Sequence, residues 1–194
     1  MPKFIKRSKM PVSAERLFKW HENPCALERL TPPWSRVKVI RKDEGLKPES
    51  EVHLKTHLGP IPFTWVARHR EYKAGREFSD IQVSGPFAKW VHKHRMIPKN
   101  EDESFLEDEI VYQVRFGLGA GIAERAIEQL FHYRHTVLRH DLDLQNSIPT
   151  HPLTFAITGA SGLVGSELSA FLRSAGRSEE HTSELQSPCN LVCR

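Results

Sequence analysis

Two histidines and an aspartate are spaced so that their side chains could act together on one small molecule. His92 and His94 are two residues apart in a segment of alternating side chains, and Asp108 lies in a similar segment further along. In a β-strand every second side chain points to the same face. Lys89, Lys93 and Arg95 alternate with these side chains and must mostly face water, so His92 and His94 are expected to point inward with Trp90. The same alternation predicts that Asp108 points inward on the neighbouring strand.

An inward His-His-Asp group has two interpretations. It could form the polar end of an apolar cavity, orienting a ligand carbonyl or hydroxyl group or acting as a general acid and base. It could instead be a buried, mutually satisfied group that only fixes the register of the sheet. For catalysis we favour the second interpretation, whereas contact with a ligand stays open.

A glycine-rich turn, TGASGLVG at residues 158–165, is the second chemical signal. It follows a short apolar segment and precedes a helical one, as in dinucleotide-binding turns, where glycines allow a tight bend, approach to a pyrophosphate and close helix packing. The amide groups of a helix N-terminus bind phosphate. The candidate cofactor-binding residues are Gly159, Ser161, Gly162, Leu163, Val164 and Gly165.

The rest of a dinucleotide site is not visible in the sequence. No acidic residue follows the turn at the distance expected for a ribose anchor, and no Tyr-x-x-x-Lys pair is present. We therefore expect no NAD(P) binding by this chain, and no catalytic residue is assigned. No metal site is predicted either, because His132 and His135 on a long predicted helix are expected to be solvated.

These groups must be positioned by a mainly antiparallel α+β domain. The pattern predicts a strand at 3–10, a helix that Ser13 caps and a short second helix at 25–30. Period-two alternation then predicts strands at 37–41, 51–58, 63–72, 77–83, 88–97 and 105–116. The turns between these strands are short, which favours consecutive antiparallel pairing. A helix is predicted at 119–146, a linker at 147–152, and then a strand at 153–158 and a helix at 166–175.

The order of elements and several sequence strings resemble the START, Bet v 1 and polyketide-cyclase (SRPBCC) superfamily. The strings are ALERLTPPW (26–34), LGPIPFTWVARHREY (58–72), VSGPFAKWVHKHRM (83–96) and LEDEIVYQV (106–114). The resemblance implies a helix-grip fold, in which a curved antiparallel sheet surrounds a long C-terminal helix and a cavity. Phe63 and Trp65 share a strand face, and Trp90, Tyr112 and Phe131 could complete an aromatic wall. The predicted ligand pocket comprises Phe63, Trp65, Trp90, His92, His94, Asp108, Tyr112 and Phe131, although core packing would use the same aromatic residues.

Within this superfamily, the same strings resemble the amino-terminal domain that some bacteria fuse to an atypical short-chain dehydrogenase/reductase of the NAD-dependent epimerase/dehydratase type. The chain is thus interpreted as a helix-grip domain (1–146), a linker (147–152) and the truncated start of a Rossmann domain (153–176). The remaining segment, 177–194, resembles the in-frame translation of a sequencing-library adapter. We therefore expect it to be an artefact without regular structure.

Composition restricts the partners. The 28 basic and 24 acidic residues give a net charge of +4 and are mixed along the chain, so no nucleic-acid surface is predicted. No signal peptide or membrane-spanning run is visible, and of three cysteines only Cys25 lies outside the terminal segment. A cytoplasmic location is expected.

Three functions are compatible with these features. The first is a non-enzymatic module that binds a hydrophobic small molecule and supplies or regulates the missing reductase domain. The second is an enzyme of the cyclase or hydratase kind that uses His92, His94 and Asp108 as acid and base. The third is a domain that only docks on its reductase partner.

Overall fold

The computed structural model describes residues 1–58, 61–115, 119–147, 155–157, 159–160, 162–175 and 191–193. Its main feature is a seven-stranded antiparallel sheet with a 28-residue helix packed against one face. The strands of this sheet are β1 (Lys3–Met10), β2 (Lys38–Lys42), β3 (Glu51–Leu58), β4 (Ile61–Lys73), β5 (Glu77–Ser84), β6 (Phe87–Pro98) and β7 (Ser104–Val114). The helices that accompany it are α1 (Ala14–His21), α2 (Ala26–Arg29) and α3 (Ala120–Ser147).

The strand order is β1-β7-β6-β5-β4-β3-β2. Strands β2 to β7 therefore follow one another in space as in sequence, which confirms the predicted consecutive antiparallel pairing. The first strand joins the far end of this series by pairing with β7, where Lys6 lies opposite Asp108. This α+β arrangement of an antiparallel sheet and a long helix is consistent with the predicted helix-grip fold.

The two short helices close one end of the sheet. Ser13 caps α1 as predicted, since its side chain accepts a hydrogen bond from the amide of Arg16 at 3.3 Å. The helix buries Leu17 and Phe18 against the sheet, where its backbone lies near β6 and β7 and the ring of Phe18 packs on Tyr72 and Phe78. Burial of these apolar side chains fixes the helix on the same face as α3.

A β-bulge near the start of β6 changes which side chains face inward. The pairing with β7 is irregular between Phe87 and Lys89, and an extra residue in one strand interrupts the alternation of side chains. Strict alternation counted back from Trp90 predicts that Ala88 points inward and Phe87 outward, and this prediction is wrong. Ala88 is exposed, whereas the ring of Phe87 lies 5.0 Å from that of Trp90 and 5.7 Å from that of Trp65.

Beyond α3 the described residues form a strand β8 (Phe155–Ile157), a helix α4 (Leu163–Ser174) and a strand β9 (Leu191–Cys193). Helix α4 begins three residues earlier than predicted, because the amide of Ser166 already donates to the carbonyl of Gly162 at 2.9 Å. Strand β8 pairs antiparallel with β9, so the described residues do not show the parallel pairing of a Rossmann domain. The expected absence of structure over 177–194 was wrong for 191–193, where an apolar segment pairs with the edge of β8.

Helix α4 contacts α2. The guanidinium group of Arg29 lies between the carboxylates of Asp141 on α3 and Glu167 on α4, with nitrogen–oxygen distances of 2.7 Å to each. The side-chain amide of Asn23 also donates to the carbonyl of Arg173 at 2.8 Å. These polar contacts hold α4 against the N-terminal domain. The predicted linker from residue 148 onward lies outside the described residues.

Candidate functional site

Asp108, which is 2% exposed, lies at the centre of a group of polar side chains between the sheet and α3. Its Oδ1 accepts a hydrogen bond from Nε2 of His92 at 3.1 Å, and its Oδ2 accepts one from Nε2 of His135 at 2.6 Å. Nδ1 of His94 lies 2.6 Å from Oδ1, at an angle outside hydrogen-bond geometry. One carboxylate therefore contacts three imidazoles.

A second carboxylate faces the same histidines from β5. Asp80 pairs with His92 across β5 and β6, and His94 pairs with Asp108 across β6 and β7. Oδ2 of Asp80 lies 3.3 Å from Nδ1 of His92 and 3.8 Å from Nε2 of His94. His92 thus lies between two carboxylates. We refer to Asp80, His92, His94, Asp108 and His135 as the His–Asp cluster.

The cluster holds opposite charges in a buried place. Burial by itself would raise the pKa of Asp108, but the charge of His94 and hydrogen bonds from His135 and His92 hold that pKa well below its usual range. The pKa of Asp80 is lowered in the same way, because hydrogen bonds from His92 and His94 outweigh its burial. Burial opposes the charge of His92, yet hydrogen bonds to both carboxylates raise its pKa to about 9. Two ionised carboxylates with a protonated His92 between them follow from these shifts.

Two further histidines flank the cluster in neutral form. His21 on α1 donates from Nδ1 to the carbonyl of Leu17 at 2.8 Å, and its ring centroid lies 5.9 Å from that of His94. Burial, together with the charge of His94, lowers the pKa of His21 to about 4. Burial also lowers the pKa of His69 on β4. Neither imidazole is expected to carry a proton near neutral pH.

An aromatic cluster adjoins the His–Asp cluster on the same face of the sheet. Its buried members are Trp90, Ile110, Tyr112, Ile127 and Phe131, and its half-buried members are Phe4, Trp65, Phe87, Val114, Ala123 and Leu130. Ring centroids of Trp65 and Trp90 lie 5.1 Å apart, edge to face. The ring of Phe131 lies 5.0 Å from that of His92, also edge to face. The two clusters are therefore in direct contact, and part of the apolar surface stays uncovered.

The structure brings together most of the residues predicted to line a pocket. His92, His94 and Asp108 are in mutual contact, and Trp90, Tyr112 and Phe131 are buried in the aromatic cluster. Trp65 lies half-buried at the edge of that cluster, and Phe63 is half-buried two residues earlier on β4. Contact with a ligand stays a prediction for all of them.

Two members of the His–Asp cluster were missed by the sequence analysis. His135 was expected to be solvated, and this was wrong, because it is 2% exposed and bound to Asp108. It lies four residues after Phe131 and three before Leu138, both fully buried, so helical spacing could have placed it inward. Asp80 follows the buried Phe78 by two residues on β5, and alternation could have found it in the same way.

An open groove of about 730 Å³ shares no lining residue with these clusters. It is formed by α3, β1 and the loop after α2, and its lining residues are Lys6, Trp34, Glu128, Gln129, His132, Tyr133 and Thr136. Polar and charged side chains line the groove together with the rings of Trp34 and Tyr133, whose centroids lie 4.8 Å apart.

The glycine turn has backbone requirements that match its motif. Gly159 has a φ of +70°, which favours glycine. A Cβ atom at Gly165 would lie 2.2 Å from the carbonyl oxygen of Gly159, so a larger residue does not fit there. Gly162 precedes α4 without a side-chain cap, and Leu163 and Val164 are exposed. Ser161, the remaining candidate cofactor residue, lies outside the described residues.

Comparison with known proteins identifies the family. The family model described as "Polyketide cyclase / dehydrase and lipid transport" matches residues 10–148. The chain belongs to this family. No curated protein sequence matches the chain.

Solved structures agree with this membership. A nucleoside-diphosphate sugar epimerase from Corynebacterium glutamicum is similar, with a TM-score of 0.69 and 28% identity, over 89% of this chain and 37% of the epimerase chain. A START superfamily protein from Mycobacterium smegmatis matches with a TM-score of 0.58 and 10% identity, over 73% of this chain and 97% of that one. The Zhui aromatase/cyclase from a Streptomyces species matches with a TM-score of 0.58 and 10% identity, over 75% of this chain and 95% of the cyclase chain. The last two similarities show the fold, and this chain spans little more than a third of the epimerase.

Among the described residues, no helix is both long and apolar enough to cross a membrane.

Proposed function

We propose that the domain at residues 1–146 binds a hydrophobic small molecule of the lipid, aromatic polyketide or quinone type. The observation that carries the proposal is the direct contact between the half-covered aromatic cluster and the buried His–Asp cluster. Binding sites for small molecules are mostly apolar and have a few convergent polar groups that set orientation. Membership of a family described by polyketide cyclisation and lipid transport supports the same chemistry.

The two clusters would bind different parts of such a ligand. The half-buried rings of Trp65 and Phe87 offer apolar surface for its body. His94 and Asp80 each keep 14% side-chain exposure, so a carbonyl or hydroxyl group could reach them. Covering about 200 Å² of apolar surface would contribute about 5 kcal/mol before the cost of association. A modest affinity is therefore expected.

The binding experiment compares two tryptophans. Emodin, oleic acid and 1-anilinonaphthalene-8-sulfonate serve as probes, and their affinities are measured by tryptophan quenching and calorimetry. Trp65→Ala should weaken binding about tenfold or more, since loss of about 1.4 kcal/mol changes affinity tenfold. Trp34→Ala is the matched control, because Trp34 lines the outer groove, and it should leave the affinity unchanged.

Two results would contradict the proposal. Binding that is lost in Trp34→Ala and kept in Trp65→Ala would place the ligand in the outer groove. Failure of all three probes to bind would favour a domain that only docks on a partner.

A cyclase or hydratase activity is the second candidate, favoured by the charged and partly accessible His–Asp cluster. His92, His94 and Asp108 could exchange protons with a bound carbonyl compound. A reactive poly-β-ketone thioester can be incubated with the protein, and dehydrative cyclisation followed by mass spectrometry as loss of water. His94→Gln should abolish turnover if the protein is an enzyme. A pure binding module should tolerate the same change with an altered affinity.

We also propose that the domain comes from a longer NAD(P)-dependent protein of the epimerase/dehydratase type, in which it supplies or regulates the reductase part. Support comes from the similarity to the sugar epimerase and from the glycine turn. In such a protein Gly159 and Gly162, with the N-terminus of α4, would hold the pyrophosphate. The chain as given should bind neither NAD nor NADP measurably by calorimetry. Micromolar binding that Gly162→Val removes would contradict this expectation.

A further inference from the structure

Three side chains in the His–Asp cluster direct ligand atoms of metal-binding type toward one point. Nδ1 of His92 and Nε2 of His94 both approach Oδ2 of Asp80, at 3.3 and 3.8 Å. One ligand atom from each of the three residues lies within 4.8 Å of the other two. We propose that Asp80, His92 and His94 form a binding site for a divalent transition-metal ion such as Zn²⁺.

The separations are close to those around a bound ion. Zn–N and Zn–O bonds are about 2.0–2.2 Å long, so neighbouring ligand atoms of a tetrahedral ion are about 3.3–3.6 Å apart. The two measured distances to Asp80 bracket this range. The ligand nitrogens of the two imidazoles also lie within 4.8 Å of each other. Two imidazoles and one carboxylate are a set that catalytic zinc and non-haem iron sites use, with an open position for a further ligand.

The residues behind the histidines support the same assignment. A metal-binding histidine generally donates its other ring N–H to a carboxylate or carbonyl group, which fixes the ring orientation. Nε2 of His92 donates to Asp108, and Nδ1 of His94 contacts the same oxygen of Asp108. Asp108 is in turn bound by His135. Asp108 therefore occupies the place of an outer carboxylate that orients the ring of His92 through a hydrogen bond and contacts the ring of His94.

Charge and access are also suited to a cation. Asp80 and Asp108 place two carboxylates in a buried region, where the imidazoles between them supply the opposite charge, and a cation bound at Nδ1 of His92 would take the place of a proton there. Asp80 and His94 keep 14% side-chain exposure while His92 keeps 4%, so an ion can arrive from the side of Asp80 and His94. The site needs no residue of the aromatic cluster, and it can exist whether or not an apolar ligand binds.

The test measures Zn²⁺ binding to the full chain after treatment with a chelator. Cys189→Ser and Cys193→Ser are introduced first, so that thiolates of the terminal segment cannot bind the ion. Calorimetry should show one ion per chain, and Co²⁺ should give the visible bands of a tetrahedral complex. Asp80→Asn and His94→Gln should each weaken binding about 100-fold, and Asp108→Asn about 10- to 100-fold.

Matched controls use a carboxylate and a histidine outside the cluster. Asp43→Asn and His132→Gln should bind Zn²⁺ like the parent chain. Circular dichroism checks folding, and if Asp80→Asn does not fold, the partly exposed His94 decides the question through His94→Gln. Absence of binding, or unchanged affinity in the variants of Asp80 and His94 that fold, would overturn the proposal. No apolar probe is present, so this result is independent of the test of ligand binding.

Discussion

Two apolar clusters lie on the same face of the sheet, and they differ in how they are covered. The first, which we call the α1 core, is closed by α1 and by the C-terminal half of α3. Its buried members are Met10, Val12, Ala14, Leu17, Phe18, Trp20, Ala26, Phe78, Met96, Leu106, Leu138 and Leu142. The aromatic cluster has fewer fully buried members, and its rim of half-buried side chains is uncovered in part. The His–Asp cluster lies between them, with His94 stacked 4.1 Å from Phe78 and His92 5.0 Å from Phe131.

The difference indicates a division of roles within one domain. A closed, mostly aliphatic core provides stability, because complete burial gives the largest hydrophobic contribution per side chain. A half-covered aromatic cluster contributes less to folding and leaves surface for a ligand. The His–Asp cluster lies between the α1 core and the aromatic cluster, so the polar end of the proposed ligand site is supported by the closed α1 core.

The largest expected effect comes from the His–Asp cluster that separates the two regions. Asp108→Asn removes the carboxylate that contacts three imidazoles, and loss of one partner from a buried ion pair costs about 3–5 kcal/mol in the free energy of unfolding. Chemical denaturation measures this loss. Glu109→Gln is the control, since Glu109 pairs with Lys3 and Arg95 on the outer face and should cost less than about 1 kcal/mol. Equal losses in the two variants would contradict a special role for Asp108.

The comparison of the two apolar clusters can be tested on a single helix. Leu138 of the α1 core is 0% exposed, whereas Leu130 of the aromatic cluster is half-buried. Leu138→Ala should lower the free energy of unfolding by about 3 kcal/mol, and Leu130→Ala by about 1 kcal/mol. If denaturation shows the same loss for both, the aromatic cluster is as tightly packed as the α1 core, and the division of roles is wrong.

Acid should destabilise the α1 core through His21. The pKa of His21 falls from an ordinary 6.5 to about 4 on burial, so the unfolded chain takes up this proton first. The contribution of neutral His21 to the free energy of unfolding is fully present above about pH 6.5. It falls as the pH drops toward 4, and the loss is about 2 kcal/mol at about pH 5. His69 shifts in the same direction. His21→Gln should flatten the pH dependence measured by chemical denaturation, while His132→Gln should not.

The smallest effect is expected from truncation at Ser147. Neither apolar cluster contains a described residue beyond Leu142. The shortened chain loses the contact between Arg29 and Glu167 and the hydrogen bond from Asn23 to Arg173, but it keeps the contact between Arg29 and Asp141. It should unfold cooperatively and lose about 1 kcal/mol or less. A non-cooperative transition would show that α4 is part of the folding unit.

The sequence alone determined the elements of the sheet and which side chains face inward on most of β6 and β7. Strand β7 follows the predicted alternation over Ser104–Val114, because the period of two is a local property of extended backbone. The alternation of cations with His92 and His94 was sufficient to place both imidazoles inside. The cap at Ser13 is likewise set by neighbouring residues only.

Tertiary structure decided the features that depend on distant residues. The bulge that turns Phe87 inward arises from pairing with β7, and the pairing of β1 with β7 joins opposite ends of the series of strands. The His–Asp cluster brings together Asp80 on β5, Asp108 on β7 and His135 on α3. These contacts require the two strands and the helix to pack with the three residues side by side. No local sequence pattern determines how these elements are aligned with one another. A period in the sequence states which face a side chain takes, whereas the packing of elements decides which other side chains it meets there.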